Sequence, residues 1–69
     1  MQRKRVNSSK VRSVGYDEKS RTLEIEMSNG QVFQYAGVYP EVFRQFMAAP
    51  NPTTFFDDKI EEEYSARRV

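Results

Sequence analysis

The sequence contains neither cysteine nor histidine. Without cysteine there is no disulfide framework and no thiolate metal site to staple the chain. Without either residue the chain also lacks the commonest general base, the commonest metal ligand and the most reactive nucleophile. Glycine is scarce too: Gly15, Gly30 and Gly37 stand apart, so neither a phosphate-cradling Walker loop nor a dinucleotide fingerprint is present. No run of about 20 apolar residues occurs, so nothing is expected to span a membrane. The start, Met1-Gln2-Arg3-Lys4-Arg5, is basic but has no apolar signal-peptide core behind it, and a cytoplasmic setting is expected.

Two groupings still invite a chemical reading. Ser8-Ser9-Lys10 sets hydroxyls beside an amine, but neighbouring strand residues point to opposite faces, and no catalysis is assigned to them. Asp57 with Glu61, or Asp58 with Glu62, would fall one turn apart on a helix and offer oxygens to a hard cation. Calcium-loop spacing is missing, so these carboxylates read as a solvated helix face. The chain is therefore expected to be no enzyme and to hold no cofactor or metal.

What is present is enough for one small core. A chain of 69 residues buries only about 60% of its unfolded surface, and each buried Leu, Ile or Phe stabilises it by roughly 1.5–3 kcal/mol. The net charge of +1 hides an uneven distribution. Residues 1–21 carry seven cationic groups against Asp17 and Glu18, whereas residues 22–69 carry four against eight carboxylates. A basic amino-terminal third suits a polyanion through phosphate neutralisation. It also suits a solvated arm, and residues 1–8, which lack periodicity, are read as a flexible basic arm preceding a single domain over 9–69.

Along the chain, Val14 and Tyr16 share a strand face, with Arg12 expected on the same side. Thr22-Leu23-Glu24-Ile25-Glu26-Met27 alternates without a slip, and Gln31 to Val38 supplies a third strand. The turn between them decides the fate of Phe33 and Tyr35. A two-residue Asn29-Gly30 turn would pair Glu24 with Tyr35 and leave both aromatics on the charged face, open for base stacking. A three-residue Ser28-Asn29-Gly30 loop, with Gly30 left-handed, pairs Ile25 with Phe33 and Leu23 with Tyr35. The longer loop is favoured because it puts every large apolar side chain on one face. A four-residue loop from Glu18 to Arg21 similarly pairs Tyr16 with Leu23 and Val14 with Ile25.

Pro40 suits a first helical position, and Val42, Phe43, Phe46 and Met47 form an apolar stripe behind it. Pro50 and Pro52 end that helix. Thr53 or Thr54 is expected to cap a second helix with Phe56, Ile60 and Tyr64 on its buried side and Arg67 and Arg68 beyond its end. The predicted fold class is thus α+β: a three-stranded antiparallel β-meander followed by two short helices packed on one face. Of the tyrosines, Tyr39 is the one expected to be exposed.

Several segments taken together resemble the KTSC domain, a short module named for its occurrence at the carboxyl end of some lysyl-tRNA synthetases. They are Val6-Asn7-Ser8-Ser9, Val14-Gly15-Tyr16-Asp17, Thr22 to Glu26, Asn29-Gly30, Gly37-Val38, and Phe55-Phe56 with Ile60 and Tyr64. The family also occurs as stand-alone bacterial and phage proteins, which a chain of this length looks like. The resemblance implies no established activity; RNA binding has been suggested for the family. The chain departs from the family pattern at Phe33-Gln34-Tyr35, where Tyr-x-Tyr is usual, and at Asn51-Pro52-Thr53, where a Ser-x-Gly turn is usual. Asp57 and Glu61 stand where the family often has Asn and Arg. Those acidic residues would repel phosphate, which directs any nucleic-acid surface to the amino-terminal strand.

Two functions follow as expectations. The first is a module binding RNA or single-stranded nucleic acid, with Arg3, Lys4, Arg5, Lys10 and Arg12 on phosphates and Ser8, Ser9 and Tyr39 supporting. The alternative is a protein-interaction domain that uses a sheet edge or the acidic helix face.

Overall fold

The strictly alternating segment Thr22–Met27 is the central strand, β3, of a five-stranded antiparallel sheet in a computed structural model that describes residues 3–6 and 8–69. The other strands are β1 (Arg3–Arg5), β2 (Val11–Asp17), β4 (Val32–Tyr35) and β5 (Ala66–Arg68). Helix α1 spans Pro40–Ala48; α2 spans Pro52–Phe55 and runs on into a π-helical segment, Phe56–Glu61. The strands lie side by side in chain order, so β1 and β5 are the two edges.

Both hairpin registers follow from the alternation. Tyr16 pairs with Leu23 and Val14 with Ile25, and on the other side Leu23 pairs with Tyr35 and Ile25 with Phe33. Gly30, at φ 92°, supplies the left-handed residue of the three-residue loop; the Gly30 N–H donates to the Met27 carbonyl at 3.0 Å, and the Met27 N–H to the Gln31 carbonyl at 2.8 Å. One face of the sheet is therefore apolar and carries the helices. Leu23, Ile25, Val14 and Tyr35 bury against Phe46 of α1 and Phe56 and Ile60 of the π-helical segment. Tyr16 stacks on Phe43 with ring centroids 4.9 Å apart, and Tyr35 meets Phe56 edge-on at 5.9 Å. The Tyr16 hydroxyl donates to the Val38 carbonyl at 2.5 Å, and burial pushes the Tyr16 and Tyr35 hydroxyls above the ordinary tyrosine range. Phe33 packs against the rim of this core, half-buried.

Five expectations need correction. The sheet has five strands, not three. Arg3–Arg5, expected in an irregular arm over 1–8, pairs with β2; residues 1, 2 and 7 of that stretch lie outside the described residues. Ala66–Arg68 returns to pair with β4 instead of trailing a helix. Both edge strands are too short and too charged to show alternation; pairing satisfies backbone groups of β2 and β4 that would otherwise be left open.

The second helix starts two or three residues earlier than expected. Asn51 is its cap, its side chain accepting from the Thr54 N–H at 3.2 Å, with Pro52 at the first position. It then widens to π geometry and stops at Glu61, leaving Tyr64 half-buried beyond it. Finally, β2 is bulged between Val11 and Ser13. The extra residue turns Val11 into the core and puts Arg12 out of step with Val14 and Tyr16.

Candidate functional site

The face of the sheet away from the helices is polar, and two rows of side chains cross it. Pairing places Arg3, Gly15, Glu24, Gln34 and Arg67 in one row, and Arg5, Ser13, Glu26 and Val32 in the next. Gly15 has no side chain, so the Arg3 guanidinium passes over β2 and reaches β3. Its Nε donates to Glu24 Oε2 at 2.6 Å, and a second nitrogen lies 3.7 Å from Glu26. Gln34 Nε2 donates to the other Glu24 oxygen at 3.0 Å. Glu24 is thereby only 8% exposed although no helix covers it. The Gln34 hydrogen bond and the Arg3 guanidinium hold its carboxyl below the ordinary range, against a smaller opposing effect of burial. Ser13 Oγ donates to Glu26 at 2.8 Å.

Lys10 sits elsewhere. It precedes β2 on the helix side, where its Nζ donates to Asp57 Oδ1 at 2.6 Å and to Glu61 Oε2 at 3.3 Å. The ammonium also lies 5.3 Å from the centre of the Phe56 ring. The hydrogen bond to Asp57 is the chief reason the amine is pushed above the ordinary lysine range, burial opposing it. Ser8 is occupied as well: its Oγ accepts from the Lys10 and Val11 N–H groups at 3.2 Å and shares a short hydrogen bond with the Thr53 hydroxyl. These contacts clamp the segment before β2 onto the helices. The π-helical geometry presents Asp57 and Glu61 together to Lys10 while Phe56 and Ile60 stay buried. Among the described residues no group of three or more acidic side chains gathers to hold a metal.

The remaining candidates divide. Arg12, turned by the bulge, donates to the Ser28 carbonyl at 2.9 Å and lies 3.6 Å from Glu26. Lys4 and Arg5 are exposed on β1 and, among the described residues, make no ion pair. Ser9 is exposed in the bend before β2. Tyr39, 55% exposed, lies in the loop before α1 with the Arg21 guanidinium over its ring. The expected constellation is therefore spread over three places: the open face and its β1 edge, the Lys10 clamp, and the Tyr39 loop.

Arg67 and Arg68 were not among the expected site residues. Pairing brings Arg67 opposite Gln34, onto the same open face as Arg3, and Arg68 opposite Phe33. Only their charge marked them in the sequence, and a helix-end role explained that charge equally well. No helix among the described residues is long and apolar enough to cross a membrane.

An open antiparallel sheet with two helices on one face, carrying Val14-Gly15-Tyr16-Asp17 in β2 and, in β4, Phe33-Gln34-Tyr35 with Tyr35 in the core and Gln34 on the open face, defines a small α+β module of one kind. The family model of the KTSC domain matches residues 7–64, and the chain belongs to that family. It is 33% identical over 64 residues to an uncharacterised protein of Stutzerimonas stutzeri, covering 93% of this chain and 90% of the relative. A protein of Tsukamurella paurometabola is 30% identical over 61 residues, covering 88% and 91%. The crystal structure of a KTSC domain protein from Yersinia pestis superposes with a TM-score of 0.94 at 37% identity, covering 99% of this chain and 96% of that one. Both basic edge strands lie outside the span that the family model matches. The family's function is uncharacterised, and so is that of the Stutzerimonas relative.

Proposed function

We propose that this domain binds RNA, or another single-stranded nucleic acid, through phosphate contacts along the open sheet face and its β1 edge. The observation that carries the reading is the supply of cations there. Two rows and one bulge bring Arg3, Arg5, Arg12 and Arg67 around Glu24 and Glu26, and Glu24 is already satisfied by Arg3 and Gln34. Arg5 remains exposed on the open face, and Lys4, which pairs with Val14, is exposed at the β1 edge toward the helix side; both are available to phosphate oxygens. Phe33 and Tyr35 belong to the other face, so binding on the open face is electrostatic and does not read bases there.

An amide-shift titration with short RNA, single-stranded DNA and duplex DNA at two salt concentrations tests it. Micromolar binding is expected, with shifts in β1 and in Arg12. The log–log salt slope should be about −0.7 for each phosphate neutralised on a single strand. Absence of binding at about 50 mM salt sinks the proposal. A second reading rests on β1 being hydrogen-bonded on one side only. A protein partner adding a strand to that edge would bind without nucleic acid and with weak salt dependence.

A further inference from the structure

Tyr39 differs from the other aromatic residues of the molecule. It is the one large aromatic left exposed among the described residues, and it is held rather than dangling. The residue before it, Val38, is fully buried, and its N–H donates to the Arg21 carbonyl at 2.9 Å. The residue after it is Pro40, and the Tyr39 carbonyl accepts from the Val42 and Phe43 N–H groups at 3.0 and 3.3 Å. The backbone on both sides is therefore fixed, and little conformational entropy remains to be lost when a ligand packs on the ring.

Arg21 completes the arrangement. It closes the β2–β3 turn at φ 55°, a left-handed conformation that costs a non-glycine residue and is usually left to glycine or asparagine. From that position its guanidinium lies 4.8 Å from the centre of the Tyr39 ring. Exposed Lys19 belongs to the same turn. An arginine over an accessible aromatic ring, with a further cation in the same turn, is a combination on which an unpaired base stacks while its phosphate is neutralised. The turn also stands at the Arg3 end of the open face: Asp17 pairs with Thr22, next to Arg21, and Gly15, two residues away, pairs with Arg3.

We infer that Tyr39, backed by Arg21, is a stacking site for one unpaired base of a single strand whose backbone runs along the β1 edge. The inference rests on the nucleic-acid reading above but concerns a separate part of the surface. Arg21 acts as a positioning residue, and Tyr39 makes the contact.

A pair of probes separates the two readings: decauridylate, and a decamer with the same ribose–phosphate backbone but no bases. The wild-type domain should bind decauridylate about 5- to 150-fold more tightly, the range for a single stacked base. Tyr39→Ala should bind decauridylate no better than the abasic strand, with unchanged affinity for the abasic strand and an unchanged salt slope. Tyr39→Phe keeps the planar ring and should keep most of the preference. Equal wild-type affinity for both strands overturns the stacking site and leaves the phosphate reading standing. Equal weakening of both strands by Tyr39→Ala, with the amide spectrum intact, overturns it too, since the ring would then serve the backbone. Binding of neither strand overturns both readings.

Discussion

The two faces of β3 use the same six residues in opposite ways. Leu23 and Ile25 disappear beneath the helices, while Glu24, between them, is nearly as well covered on the side without helices. Apolar packing of α1 and the π-helical segment excludes water from the first face. On the second, the length of one arginine and the absence of a side chain at Gly15 let polar groups cover each other. The difference teaches where this small domain draws its stability and where it has groups to spare. The apolar face has no surplus; the polar face keeps cations beyond those its carboxylates require.

The largest effect should come from breaking the apolar face. Phe56 is fully buried, meets the Tyr35 ring edge-on, lies near Phe46 and carries the Lys10 ammonium over its own ring. Phe56→Ala should cost about 3–5 kcal/mol, a large part of the stability of a domain this size, and thermal unfolding monitored by circular dichroism reads it. A loss below about 1 kcal/mol would show that the helices are not what closes this face.

Breaking the polar face should cost less, with an acid signature. Glu24→Ala leaves the Gln34 amide and the Arg3 guanidinium without their shared acceptor. The loss should be about 1–3 kcal/mol, typical of a hydrogen bond to a charged group. The carboxyl is held below its ordinary value of 4.5. Its contribution is therefore complete above that value and fades as pH falls through the lower, folded-state value. Glu24→Gln should remove that part of the acid sensitivity, so denaturant midpoints of the variant and the wild type should converge as pH falls. If the two curves stay parallel, the carboxylate is not the group being covered.

The same contrast explains what could be read before the fold was known. Strict alternation in Thr22–Met27 left two registers for the second hairpin, and the need to gather the large apolar side chains on one face selected the three-residue loop, and with it the burial of Tyr35. The apolar stripe and Pro40 located α1. Arg3–Arg5 and Ala66–Arg68 carry no pattern, because three charged or small residues become a strand only through the neighbour they pair with. The bulge that turns Arg12 is equally silent, since it is a property of how two strands match. Asn51-Pro52 did carry a cap signal, but Pro52 also served to end the preceding helix, and the two uses compete. For the candidate site, charge identified the cations but not which of them the fold had already occupied.

That last distinction leads to the smallest effects. Lys10 and Lys4 are both amines of the basic amino-terminal third, yet Lys10 is shared by Asp57 and Glu61 while Lys4 has no ion pair among the described residues. Lys10→Ala should destabilise by about 1 kcal/mol or less, the scale of a half-exposed ion pair over an aromatic ring. Lys4→Ala should stay within about 0.5 kcal/mol of the wild type. Binding should reverse the order. A cation already neutralised by two carboxylates displaces few counterions when a strand docks, whereas a free one displaces its full share. Lys4→Ala should therefore reduce the magnitude of the log–log salt slope by about 0.7, and Lys10→Ala should leave it close to the wild-type value. Equal reductions in the two variants would mean that the Asp57–Lys10–Glu61 clamp opens on binding, and the division between occupied and available cations would have to be redrawn.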